Sequence, residues 1–219
     1  MKNPLRPYLM AGACFALSTL NANANLLTNG SFELGSFVNQ GNQTMSLAAG
    51  ATNMTGWTAV GRSLAWINTG NPFLLSAQDG NFFLDLTDYN TGAPFGGVTQ
   101  SIPTVLGQQY TLSFELGSYT QRWGGPPVSI LATAGAASQV FTDATTSTKS
   151  TWTPFSLTFT ATGASTAITL LGSAGVQYIG LDNVSVDAVG GATVPEPASY
   201  ALLAMALMMF CLVASRRFA

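Results

Sequence analysis

The 219-residue chain contains no histidine, two cysteines, and only 7 Lys+Arg against 9 Asp+Glu. Charged residues make up 7% of it, where a typical soluble domain has roughly 25%. Without histidine, Ser-His-Asp and Cys-His nucleophile activation are excluded, and the commonest transition-metal ligand is missing. Cys14 and Cys211 stand near opposite ends of the chain and cannot build a disulfide scaffold or a zinc cluster. A formal net charge of −2 leaves no basic surface to neutralise a phosphate backbone, so nucleic acid is not an expected partner. Between the two ends no 3.6-residue apolar stripe is present, which argues against helices in the interior of the chain.

The ends read as addresses. Lys2 and Arg6 form a short basic region, Tyr8 to Leu20 is an uncharged and mostly apolar run, and Ala22 and Ala24 stand at A-x-A cleavage positions. This pattern predicts a signal peptide over residues 1–24, cut by signal peptidase after Ala24. A run of about 13 residues is too short to cross a hydrocarbon layer of about 30 Å as a helix. At the other end Ala198 to Ser215 is uncharged and apolar on every side, and Arg216-Arg217 follow it. Eighteen residues at 1.5 Å per residue give about 27 Å, just enough for a transmembrane helix over 198–215 with the arginines on the cytoplasmic side.

Directly before that run stands Val194-Pro195-Glu196-Pro197. A Pro-Glu-Pro tripeptide, an apolar span and an arginine cluster, in that order at the C-terminus, resemble the PEP-CTERM sorting signal of Gram-negative bacteria that make exopolysaccharide. The resemblance implies that residues 195–219 anchor the precursor in the inner membrane until an exosortase recognises the signal. The product would then reach the cell surface or the extracellular matrix.

What remains is residues 25–187, followed by a small-residue linker over 188–194. This central region has three bases (Arg62, Arg122, Lys149) and eight acids (Glu33, Asp79, Asp85, Asp88, Glu115, Asp143, Asp182, Asp187), and no cysteine. It is acidic and suited to an oxidising compartment. Its periodicity is two: Tyr110 to Leu116 alternates apolar and polar residues, as does Phe155 to Phe159. Similar runs occupy 82–86, 97–102, 128–132, 167–171 and 181–186, separated by Gly, Pro, Asn, Asp and Ser clusters. Eight or more short strands without helical crossovers predict an all-β antiparallel β-sandwich of jelly-roll type. Serine and threonine take the solvent-facing strand positions where lysine and glutamate are more usual, which accounts for part of the missing charge.

Three segments carry further information. Asn25-Leu-Leu-Thr-Asn-Gly-Ser-Phe-Glu33 opens the region, Asp79-Gly-Asn-Phe-Phe-Leu-Asp-Leu86 lies in its middle, and Tyr178-Ile-Gly-Leu-Asp-Asn-Val-Ser-Val186 closes it. Their order resembles that of galactose-binding-like jelly rolls, including the carbohydrate-binding modules of bacterial glycosidases. The resemblance implies a domain that binds carbohydrate or exopolysaccharide. It also implies one structural Ca²⁺ held by Glu33 and Asp182, with the main chain near Ser31 helping. The alternative for these acids is that they cap backbone N–H groups in turns.

A glycan site needs aromatic platforms beside hydrogen-bonding side chains. The candidates are Tyr119, Gln121, Arg122 and Trp123 in one loop, together with Trp57, Trp66, Asp88 and Tyr89. The competing reading is that these tryptophans pack at the rim of the sandwich. Two other functions stay open: a purely structural or adhesive matrix role, and a glycan hydrolase or lyase using Asp85 with Asp88, or Glu115 with Asp143. No motif groups such a pair across a cleft, and the chain is read as a non-enzyme.

Overall fold

In the computed structural model the described residues are 25–119, 127–145, 147 and 149–190, all within a compact unit spanning Asn23–Ala192. The predicted signal peptide, sorting signal and C-terminal span lie outside these residues.

Eleven strands follow in chain order: β1 (Thr44–Leu47), β2 (Thr58–Gly61), β3 (Leu64–Asn68), β4 (Phe82–Asp85), β5 (Gly96–Pro103), β6 (Gln109–Ser118), β7 (Val128–Ala134), β8 (Ala137–Asp143), β9 (Thr151–Thr160), β10 (Ser165–Ala174) and β11 (Gly180–Ala188). They form a six-stranded sheet, ordered β1-β3-β4-β11-β6-β9, and a five-stranded sheet, ordered β2-β5-β10-β7-β8. Every strand pairing is antiparallel. The expected all-β sandwich is what the chain forms.

Alternation fixes which side of each strand faces inward. On β6, Tyr110, Leu112, Phe114 and Leu116 are buried between the sheets, while Thr111, Ser113 and Glu115 face outward. On β9, Leu157 and Phe159 point inward against β6, with Tyr110 and Phe159 stacked at 5.5 Å. Ile130, Ala132, Ile168, Leu170 and Val98 close the core from the five-stranded sheet.

Four strands escaped the period-two reading, each for a local reason. Strands β1 and β2 have only 4 residues and lie at sheet edges. In β3 the four residues Leu64 to Ile67 are all buried, so nothing alternates. The cause is a second apolar cluster on the outer side of the six-stranded sheet. There Ala65, Ile67, Phe83, Tyr119 and Tyr178 are covered by the segment carrying Phe73, Leu75 and Ala77, and flanked by Trp152. Strand β8 is an edge strand with mostly exposed residues and no apolar run to mark it.

The opening motif is built to meet the last strand. Asn25 Nδ2 donates to the Val184 carbonyl at 3.2 Å, and the Val186 N–H donates to Asn25 Oδ1 at 3.0 Å. The Val184 N–H donates to the Gly30 carbonyl at 2.9 Å. A Cβ on Gly30 would collide with the Val184 carbonyl oxygen, a backbone atom that no rotamer change can move. Gly30→Ala is therefore expected to destabilise the domain by about 1–3 kcal/mol, seen as a lower urea midpoint at unchanged slope.

Candidate functional site

Loops at one end of the sandwich converge on a cavity of about 220 Å³ lined by Phe73, Leu75, Tyr89 and Gln177. The rings of Phe73 and Tyr89 meet at 5.6 Å with a 51° tilt. Leu75 is buried, Tyr89 is partly exposed, and Leu74 beside them is 74% exposed. The backbone here is unusual: Leu74, Asp88, Tyr89 and Gln177 all have φ between 47° and 63°. Side chains other than Gly and Asn rarely adopt this left-handed region, and each such residue costs of order 1 kcal/mol that its surroundings must hold in place.

The surroundings that hold it centre on Asp85. This side chain is 1% exposed. Its Oδ1 accepts the N–H groups of Thr87 at 2.9 Å and Ile179 at 3.0 Å, and it also takes the Thr87 hydroxyl. One carboxylate thereby ties the loop carrying Tyr89 to the loop carrying Gln177. The two loops are joined again where the Gln177 N–H donates to the Asn90 carbonyl at 3.0 Å. Burial pushes the Asp85 carboxyl up to about 6, opposed by these hydrogen bonds. Asp88 accepts a hydrogen bond from the Ser46 hydroxyl at 2.8 Å, which fixes the same loop to β1. The Tyr89 phenol is pushed up to about 12, mainly by burial, and it bonds to Thr44.

Of the residues singled out from sequence, Asp88 and Tyr89 belong to this end. Tyr119 lies beneath it, buried in the cluster with Leu75 and Tyr178, and supports the site rather than forming a platform. Gln121, Arg122 and Trp123 lie outside the described residues. Trp57 and Trp66 are corrected: both are 1% exposed and belong to the core. Their indole N–H groups donate to the Asn29 carbonyl at 2.8 Å and the Phe32 carbonyl at 3.0 Å. A core indole needs such a partner, and the opening motif supplies both. Phe73, Leu75 and Gln177 were missed, since neither a short apolar loop nor a lone glutamine marks itself in a sequence.

The acids of the two candidate hydrolytic pairs differ in their surroundings. Asp85 is buried under the loops. Glu115 faces outward from the six-stranded sheet, whereas Asp143 is buried and accepts bonds from the Ser118 and Thr153 hydroxyls.

Glu33 and Asp182 do converge, on the backbone of one loop. Glu33 Oε1 accepts the N–H groups of Asn81 at 2.7 Å and Phe82 at 2.6 Å. Asp182 Oδ2 accepts those of Gln78 at 2.7 Å and Asp79 at 3.0 Å, and its Oδ1 accepts that of Asn183 at 2.7 Å. Gly80 has φ +67°, and a Cβ there would strike the Glu33 carboxylate, so glycine is required by conformation and by space. Ser31 is half-buried between Gly30 and Phe32. Among the described residues no three His, Cys, Asp or Glu side chains group to hold a metal. Calcium takes six to eight oxygens. Three of the four carboxylate oxygens here face N–H donors, an arrangement that anchors the loop.

A jelly-roll sandwich with a ring-lined, strained loop cavity is the class of domain that these features define. Residues 25–179 match the family described as "Protein of unknown function (DUF642)", and the chain belongs to that family. No curated relative matches it. Among solved structures it is similar to a family 22 xylan-binding domain from Paenibacillus barcinonensis (16% identity, 80% of this chain and 100% of that one, TM-score 0.42). It is also similar to a family 61 carbohydrate-binding module in complex with β-1,4-galactotriose (14%, 75% and 99%, 0.44). A third similar structure is a family 35 carbohydrate-binding module from Clostridium thermocellum (12%, 65% and 97%, 0.41). Identities this low carry no ligand over to this chain.

The buried acids set a pH dependence. Burial raises Asp182 from 3.8 to about 7 and Asp85 from 3.8 to about 6. A carboxyl whose folded pKa lies above its unfolded one binds protons more tightly in the folded state. Stability then falls as pH rises through the interval between the two values. The melting temperature is expected to rise as pH is lowered from 8 to about 5, and Asp85→Asn should flatten the lower part of that rise.

Proposed function

We propose that this domain is a non-catalytic carbohydrate-binding module of an exported bacterial surface or matrix protein, with its glycan site in the cavity of Phe73, Leu75, Tyr89 and Gln177. The observation that supports this reading is the concentration of left-handed backbone around two rings and a carboxamide. Strain of this kind persists where a fold over-determines a binding site. The partly exposed Tyr89 ring offers an apolar face to a sugar, and the Gln177 carboxamide can meet its hydroxyls.

On the same reading the precursor enters the export pathway through residues 1–24. It is held in the inner membrane by 198–215, and is handed by an exosortase acting on Val194-Pro195-Glu196-Pro197 and Arg216-Arg217 to the cell surface or the surrounding exopolysaccharide. A glycan array probed with residues 25–190 is expected to show saturable binding, weakened about tenfold in Tyr89→Ala. Arg122→Ala and Trp123→Ala report whether the neighbouring loop takes part. Absence of saturable binding to any glycan would replace this reading with a structural or adhesive role, and release of reducing ends would replace it with an enzyme.

We further infer that Glu33 and Asp182 work as a metal-free clamp. Millimolar Ca²⁺ added after chelator treatment is expected to leave the melting temperature unchanged. A calcium-dependent rise that Glu33→Gln removes would restore the structural-calcium reading at Glu33, Asp182 and Ser31.

A further inference from the structure

The outer face of the six-stranded sheet is divided. One part lies under the segment carrying Phe73, Leu75 and Ala77. Another part, across β11, β6 and β9, holds a cleft of about 340 Å³, within the size range of small-ligand sites of roughly 300–1,000 Å³. It is separate from the loop cavity and shares no lining residue with it.

A bulge shapes this cleft. Strands β11 and β6 pair Asp182 with Glu115 and Ser185 with Ser113, so β11 carries one extra residue between these pairs. Asn183 absorbs it with φ 48° and is exposed at the cleft. Bulges of this kind re-aim side chains next to binding sites. The result places a carboxamide and the hydroxyls of Ser113, Ser156 and Ser185 around Glu115, with the Pro154 ring as an apolar wall.

Glu115 is the unexplained group. Its Oε2 is buried and has no hydrogen-bond partner among the described residues. Among the described residues no lysine or arginine lines the cleft. The residue opposite it, Asp182, has its oxygens committed to the loop backbone and to Asn183. Glu115 is half-buried with its other carboxylate oxygen open to the cleft, and that oxygen, with no basic side chain beside it among the described residues, favours a cation that donates hydrogen bonds; charge-assisted bonds of this kind are about twice as strong as neutral ones. A neutral sugar hydroxyl would satisfy the oxygen but leave the charge uncompensated. Burial also raises the Glu115 carboxyl above its ordinary value, a direction that pairing with a cation would reverse.

We propose that this cleft binds an amino sugar with a free ammonium group, Glu115 pairing with the ammonium while the serines and Asn183 meet neighbouring hydroxyls. The proposal rests on the reading that the domain binds glycan, and assigns it a second site with a different ligand chemistry.

The test is calorimetric titration of the purified protein with three β-1,4-linked tetramers: fully deacetylated glucosamine, N-acetylglucosamine and glucose. The glucosamine tetramer is expected to bind about tenfold or more tightly than the other two, and to weaken as salt is raised. Glu115→Gln should lose about tenfold to a hundredfold of that affinity. Its melting temperature should match or exceed that of the parent, because an uncompensated charge has been removed. Tyr89→Ala should retain the glucosamine binding. Equal affinity for the three tetramers, no binding of the glucosamine tetramer, or unchanged binding in Glu115→Gln overturns the proposal. Binding lost in Tyr89→Ala and kept in Glu115→Gln would place the ligand in the loop cavity, leaving the domain's glycan-binding function standing while this site falls.

Discussion

Asp182 is fully buried on the last strand, and what satisfies its carboxylate is the backbone of a loop a hundred residues earlier. Glu33, from the opening motif, takes the N–H groups of Asn81 and Phe82 in the same loop. The opening motif is itself fastened to β11 through Asn25 and Gly30. The three segments that stand out in the sequence are therefore one interlocked unit. Because the clamp holds residues 78–82 against the sheet, the chain just before them lies over Ile67, Phe83 and Tyr178 and builds the second apolar cluster. The loop cavity takes Phe73 and Leu75 from that covering segment, and the Glu115 cleft lies on the same outer face.

The clamp is not there for stability at neutral pH. A carboxyl raised to about 7 by burial is one whose charged form the fold tolerates only because N–H groups surround it. What it supplies is position: an apolar contact could hold the loop down in several registers, whereas two carboxylates meeting the N–H groups of residues 78, 79, 81 and 82 admit one. Asp85 plays the same part at the cavity, converting one buried charge into a fixed relation between two loops. This also recasts the scarcity of charge. Glu33, Asp85, Asp88, Asp143 and Asp182 all accept hydrogen bonds from within the domain. Five of the eight acids are therefore fasteners, and the remaining surface is left to serine, threonine and small apolar residues.

Sequence pattern reached the sandwich because the long central strands each bury one face. It failed at β3 because a loop covers the second face, and a strand buried on both sides has no alternation to read. The tryptophans show a different limit. Trp57 follows Gly56 in a polar stretch that suits an exposed platform as well as a core position, and Trp66 stands in a short apolar run, Leu64 to Ile67, that does not separate the two either. What decides between these is a pair of carbonyls 28 and 34 residues away. Asp88 and Tyr89 were legible as polar and aromatic neighbours in a loop. Their partners Phe73 and Gln177 were not, since the left-handed backbone that assembles them leaves no glycine as a mark.

The two outer sites differ in what they can recognise, and the difference follows from how each carboxylate is used. At the loop cavity the nearby acids are occupied: Asp85 lies underneath with its oxygens spent on Thr87 and Ile179, and Asp88 is engaged by Ser46. What remains for a ligand there is ring surface and a carboxamide, suited to an uncharged sugar. At the sheet cleft the reverse holds, with no aromatic platform of comparable exposure among the described residues and a half-buried carboxylate whose Oε2 has no hydrogen-bond partner among them. On the proposed reading, a polymer bearing both neutral and amino sugars engages the two sites together. The second contact would then be intramolecular, so affinity for the polymer can exceed that for either unit without any additional contact.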